Sequence, residues 1–161
     1  MQAPDSTAGT FQKRYFDLHT QGIGYLSRVR VVTPRSQGRR AEPMLCCAIN
    51  ALRGDIDEPQ YTYFDLRVTE ADAQTLVRRC KPAVDAGKQV IVAFTIGDIY
   101  PHTYEKEIDG RTEVRAITKG RLIGVSYVKV DGVVVHQRAG ALDHSDPQSA
   151  QAGADAECAA A

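Results

Sequence analysis

The 161 residues contain no tryptophan and only two methionines, and the four cysteines never fall at C-x-x-C spacing. Without that spacing, buried reduced thiols are the default reading of the cysteines. Cys46 and Cys47 are adjacent, so they point to opposite faces of any strand that holds them. Reduced thiols, and with them a cytoplasmic chain, are the expectation. His19, His102, His136 and His144 are scattered, so neither a metal nor a cofactor is expected. Asp55-Ile56-Asp57 lacks the rest of a calcium loop. No run of about 18 apolar residues exists, so no membrane span is expected. The start lacks the charged-then-apolar pattern of an export signal. Gly22-Ile23-Gly24 lacks the third glycine and the following helix of a dinucleotide loop, and no serine sits in a nucleophile-elbow context. The chain therefore reads as a protein without catalytic residues, not as an enzyme.

A net charge is missing too. Twenty Lys and Arg balance twenty Asp and Glu, which by itself argues against a polyanionic partner. The balance hides a segregation. All twenty bases lie between Lys13 and Arg138 with fifteen of the acids, which leaves that span at +5, and the other five acids lie outside it. A basic centre with acidic ends is a pattern seen where nucleic acid is the partner. Residues 1–14 read as a disordered arm, 15–138 as one folded domain, and 139–161 as a disordered acidic tail.

One helix interrupts a series of strand-like segments. Tyr25–Val32 and Met44–Leu52 read as strands, joined by a loop with Arg35, Arg39 and Arg40. Gly22 and Gly24 suggest a bulge or tight bend on entry to the first. Tyr61–Val68 alternates most clearly, with Thr62, Phe64, Leu66 and Val68 on one face and Tyr61, Tyr63, Asp65 and Arg67 on the other. Thr69–Gly87 reads as a helix with Thr69 as N-cap, acids in its first turn and Gly87 at C′. Its apolar stripe is Ala73, Leu76, Val77, Cys80 and Val84, and Pro82 is expected to kink or divide it. Gln89–Ile96 is a central strand and Gly97–Pro101 a loop. Tyr104–Lys119 is a hairpin about Asp109-Gly110, and Arg121–Val130 is a further strand that turns at Asp131-Gly132 into Val133-Val134-Val135. The β-β-β-α-β-β order predicts an all-β fold with one helix, the OB-fold: a five-stranded barrel with a long hairpin between strands four and five.

Barrels of this kind bind oligonucleotides or oligosaccharides on one face. Single-stranded nucleic acid needs flat rings to stack bases and cations to track phosphates. Tyr61, Tyr63 and Tyr127 are the candidate rings. Arg67, Arg111, Arg115, Lys119, Arg121 and Lys129 are the candidate phosphate ligands, with Arg28 and Arg30 on one face of the first strand and Arg39 and Arg40 in the loop. Arg111, Arg115, Lys119 and Arg121 share one parity, interrupted by Glu113, and Tyr127 and Lys129 continue it. Such tyrosines also serve as cross-strand packing, and such arginines as a solvated face.

Several segments resemble a small bacterial family found on integrating conjugative elements and described as element replication proteins. They are Tyr15-Phe16-Asp17-Leu18-His19-Thr20, Gly22-Ile23-Gly24-Tyr25-Leu26, Tyr63-Phe64-Asp65-Leu66-Arg67-Val68, Arg78-Arg79-Cys80 and Gly97-Asp98-Ile99-Tyr100-Pro101. The resemblance spans roughly Tyr15 to Val135 and carries no catalytic residues. It implies a cytoplasmic role in replicating, maintaining or transferring element DNA beside replication or transfer proteins. More distantly, the chain is similar to bacterial single-stranded DNA-binding proteins in strand and helix order. It departs from them by ending Cys158-Ala159-Ala160-Ala161, without an acidic, hydrophobic tip. Two functions follow as expectations. One is a homo-oligomeric single-stranded DNA-binding protein of a mobile element. The other is an oligomerising OB-fold adaptor that holds a protein partner, without nucleic acid, on the strand Tyr61–Val68.

Overall fold

The computed structural model describes residues 16–34 and 42–139. The expected N-terminal arm, nearly all of the tail, and Arg35, Arg39 and Arg40 lie outside these residues. Among the described residues there are six strands and one helix: β1 (His19–Val32), β2 (Met44–Gly54), β3 (Pro59–Val68), α1 (Ala71–Asp85), β4 (Val90–Ile108), β5 (Arg111–Val130) and β6 (Val133–Gln137). β1 is antiparallel to β2 on one edge and to β4 on the other. β2 pairs with β3, β4 pairs with β5, and β3 runs parallel to β5 from Phe64 to Val68. Following these pairings returns to the start, so β1, β2, β3, β5 and β4 form a closed ring. β6 lies outside it, paired with β5.

The inward set of each strand fills the ring. Ile49, Leu66, Ile96 and Leu122 are fully buried at its centre. The α1 stripe Leu76, Val77 and Cys80 packs against Leu26, Val92, Leu122 and Val125 and covers the interior. The Asp109-Gly110 and Asp131-Gly132 turns both have two positive φ angles, 50° and 74° in the first and 45° and 84° in the second. That is the type I′ geometry of a two-residue hairpin.

Four expectations need correction. The helix starts at Ala71 with Glu70 as N-cap, and no side chain caps it. Thr69 is engaged elsewhere: its N–H and its hydroxyl both donate to the Leu122 carbonyl, at 3.1 and 3.3 Å, which extends the β3–β5 pairing by one residue. Pro82 does not divide the helix. Pro82 and Arg78 are both exposed, so the carbonyl that loses its helical donor faces water. Gly87, at φ 75°, and Lys88 donate to Val84 and Ala83, the double bond of a Schellman stop.

The loop expected at Gly97–Pro101 is continuous strand. Asp98, at φ 52°, lies within a register shift against β5, and Ile99 packs against the core. The separate hairpin and following strand are therefore one long β4–β5 ribbon. The bulge expected at Gly22–Gly24 lies instead at Arg28, at φ 50°, where three steps of β1 span two of β2.

Gly24 has a different task. With Tyr25 it is where β1 is paired on both edges, Gly24 to Ala51 and to Val92. A Cβ there would lie 2.5 Å from the Asn50 carbonyl oxygen and 2.7 Å from the Ala51 Cα. Both are backbone atoms of β2 and cannot rotate away. Gly24→Ala should therefore cost about 3 kcal/mol, read as a lower urea midpoint at unchanged slope. A midpoint equal to the parent's would show that β1 and β2 do not approach this closely.

Candidate nucleic-acid interface

The ring closure assembles an outward-facing grid. One row crosses four strands as Arg30, Cys46, Arg67 and Arg121. The next is Ser27, Ala48, Asp65 and Lys119. The third is Tyr25, Asn50 and Tyr63, and beyond it Tyr61 lies opposite Leu52. Adjacent strands are about 4.8 Å apart, so the cations of β3 and β5 are immediate neighbours. The expected alternation of β3 holds: Phe64, Leu66 and Val68 are buried, whereas Tyr61 and Arg67 are exposed.

Two acids set the local balance. The Arg30 Nη2 donates to the Asp65 carboxylate at 2.6 Å, and Arg121 lies against the carboxylate of Asp98. Burial disfavours the charge on Arg30, but the Asp65 hydrogen bond and charge outweigh it and hold its pKa up. Arg67 and Lys119 make no ion pair among the described residues, so they are the cations open to an incoming phosphate. Arg28 donates to the Tyr63 hydroxyl at 3.2 Å, and the Tyr61 ring lies 6.2 Å from that of Tyr25. Tyr61 and Tyr63 thus have a structural role as well as an outward surface.

Cys46 lies in the first row, half buried. Burial pushes its thiol up, against the opposing pull of Arg30, Arg67 and Lys119. Cys47, on the inner face, is pushed up to about 12 by its burial. Neither thiol is activated.

Beyond Lys119 the β4–β5 ribbon leaves the ring as an arm. Arg111, Arg115 and Lys119 share one arm face, as the parity predicts, and Arg115 bonds to Glu113 at 3.2 Å. Tyr127 and Lys129 are not brought to this place. They pair with Ala93 and Ile91 at the far end of β5, beyond two register shifts. In the row that holds Tyr63, Lys129 is reached only after Asn50, Tyr25 and Ile91. Arg39 and Arg40 lie outside the described residues.

Tyr25, Tyr100, His102, Tyr104 and Lys106 belong to the outward surface and escape the strand-by-strand reading. The bulge at Arg28 puts Tyr25 on the same face as Arg28 and Arg30 despite its opposite parity. The arm residues did have a signal. A two-residue turn at 109–110 fixes the register, so Tyr104 must face Arg115, and Tyr100 must face Lys119.

An open cleft of about 500 Å³ adjoins the first row beside the start of α1, bounded by His19, Glu70, Asp72, Arg121 and Arg138. Its two acids oppose a phosphate there. Among the described residues no group of three metal-ligating side chains occurs, and no helix is long and apolar enough to cross a membrane.

No curated protein matches the chain in sequence. A small single-stranded DNA-binding protein from Streptomyces coelicolor is similar in structure at 12% identity, over 68% of this chain and 92% of that one. Its TM-score is 0.31, too loose a likeness to transfer anything from. The family match is broader: over residues 9–143 the chain belongs to DUF3577, a family described as proteins of unknown function.

Proposed function

We propose that this chain is an OB-fold protein that binds single-stranded DNA across the outward face of β1, β2, β3 and β5. The observation that carries this reading is the row Arg30, Arg67, Arg121 with Lys119 beside it and Tyr61 and Tyr63 at its edge. With β6 left outside, the ring strands run β-β-β-α-β-β and close as β1–β2–β3–β5–β4, the arrangement expected of an OB-fold, whose ligand face lies on these strands. The role is binding without catalysis. Its setting, from the resemblance of segments such as Tyr63–Val68, is the cytoplasmic replication, maintenance or transfer of a mobile element.

Anisotropy of labelled oligo-dT titrated with protein at rising salt tests this directly. The log of affinity should fall linearly with the log of salt. Replacing both Arg67 and Lys119 by Ala should make that slope shallower by roughly 1.4, about 0.7 for each phosphate that is no longer neutralised. Tyr63→Ala should weaken binding by about 1–3 kcal/mol if its ring stacks a base. Salt-independent binding would sink the proposal, as would an affinity that Arg67→Ala and Lys119→Ala leave untouched.

Cys46 reports on the same face. Its raised pKa leaves less thiolate at neutral pH than an ordinary thiol has, so iodoacetamide should react slowly and faster as pH rises. In a Cys158→Ser background, saturating oligo-dT should slow the reaction further, measured by mass spectrometry. Equal rates with and without DNA would place the strand elsewhere.

A self-association reading is favoured by a different observation. The interface expected on β3 would use its outward tyrosine face, since β2 and β5 occupy both of its edges from Phe64 to Arg67. The apolar edge is β6, where Val133, Val134 and Val135 are all exposed. If β6 assembles copies of the chain, Val134→Lys should abolish concentration-dependent assembly in sedimentation velocity and leave DNA affinity unchanged.

A further inference from the structure

We infer that the β4–β5 arm carries a rail of three rings, Tyr100, His102 and Tyr104, that holds successive bases of an unstacked, pyrimidine-rich single strand. This rests on the single-strand reading above and names the kind of strand that the site selects.

The arm is regular from Tyr100 to Ile108, each residue directly opposite its partner on β5. Directly opposed residues share a face. One face therefore holds Tyr100 beside Lys119, His102 beside Ile117, Tyr104 beside Arg115, Lys106 beside Glu113, and Ile108 beside Arg111. The other holds Thr103, Glu105, Glu107, Thr112, Val114 and Ala116, with two acids and no base. The ring face carries Lys106, Arg111, Arg115 and Lys119 against the single acid Glu113, so the rings lie on the basic side. Lys119 also pairs with Asp65 of β3, so this face continues the ring's outward grid.

Tyr100 and Tyr104 are 51% and 41% exposed. Among the described residues neither packs on another ring, and neither hydroxyl has a partner. Structural duty does not account for them.

Their spacing defines the ligand. Rings on alternate residues of one strand repeat every ~6.8 Å. A stacked nucleic-acid strand rises ~3.4 Å per nucleotide, half that distance. Successive bases meet successive rings only when the strand is drawn out of its own stack. Purine tracts resist this because they self-stack strongly, and pyrimidine tracts yield. The cations opposite, Lys119 and Arg115, lie where the extended backbone would run. Duplex DNA presents no free base faces and is excluded.

The test compares oligo-dT and oligo-dA of equal length by anisotropy on the full chain. The proteins are the parent, Tyr100→Ala with Tyr104→Ala, Tyr100→Phe with Tyr104→Phe, and the opposite-face control Thr103→Ala with Val114→Ala. Thermal melts by circular dichroism confirm that all four are equally folded. The parent should prefer oligo-dT. The alanine pair should lose at least about tenfold in affinity for oligo-dT. It should lose less for oligo-dA, so that the preference collapses. The phenylalanine pair keeps the rings and should keep the preference, as should the control. If the parent binds oligo-dT and the alanine pair binds it equally well with the same preference, the rail is refuted while the proposed function stands. If the parent binds no single strand at all, both fall.

Discussion

The parallel pairing of β3 with β5 is the constraint on which the rest depends. It joins strands that are distant in sequence, and without it the antiparallel pairings would leave an open sheet with β3 as an edge. Closure encloses Leu66 and Leu122 from both sides and gives α1 an interior to cover. It also takes the Thr69 hydroxyl away from the helix and gives it to Leu122. On the outside, the same pairing sets Arg67 beside Arg121 and Asp65 beside Lys119. The core and the cationic row are two faces of one set of hydrogen bonds. A change that loosened this pairing would weaken the fold and disperse the site together.

A small closed ring needs strands that bend, and the bends decide where side chains point. β1 bends at Arg28, β4 at Asp98, and β5 at the register shifts between Leu122 and Tyr127. Bulges sharpen local twist and re-aim side chains. At Arg28 the extra residue leaves Arg28 and Arg30 free to reach Tyr63 and Asp65 on β3. At Asp98 it turns a carboxylate onto Arg121 while Ile99 returns to the core. In β5 the buried positions Leu122, Val125 and Val128 fall three apart, which no strict alternation allows. The irregularities that close the ring therefore also shape the polar surface.

That is why the sequence is legible in some places and opaque in others. β3 alternates without interruption, so its core and platform residues follow from period two. The helix stripe follows from its spacing, and both hairpin turns from Asp-Gly. Each signal is local, and each matches the structure. Bulges have no comparable signature in one sequence. Arg28, Asp98 and Asp109 all adopt positive φ, yet only Asp109 precedes a glycine that announces a turn. Tyr25 was thus hidden by a parity that breaks at Arg28. Tyr127 and Lys129 kept the parity of Arg121, since two shifts restore it, but the closed ring carries them to another side. Parity along a strand reports a face, and position around a ring is a separate coordinate that only the non-local pairings supply.

A chain with no net charge can still offer a polyanion a favourable surface, because screening makes charge a local property. At physiological salt the Debye length is about 8 Å, comparable to the distance between the two faces of a single β-ribbon with its side chains. Glu105 and Glu107 on the back of the arm are therefore largely screened from a strand lying along its front, whereas Lys106, Arg111 and Arg115 on that front are not. The acids that do share the cationic surface, Asp65, Asp98 and Glu113, each lie against an arginine. They hold Arg30, Arg121 and Arg115 in place and leave Arg67 and Lys119 as the uncompensated charge of the four-strand grid. Two such cations beside a short run of rings suit a ligand held by stacking and steered by charge. They suit less well one gripped along every phosphate.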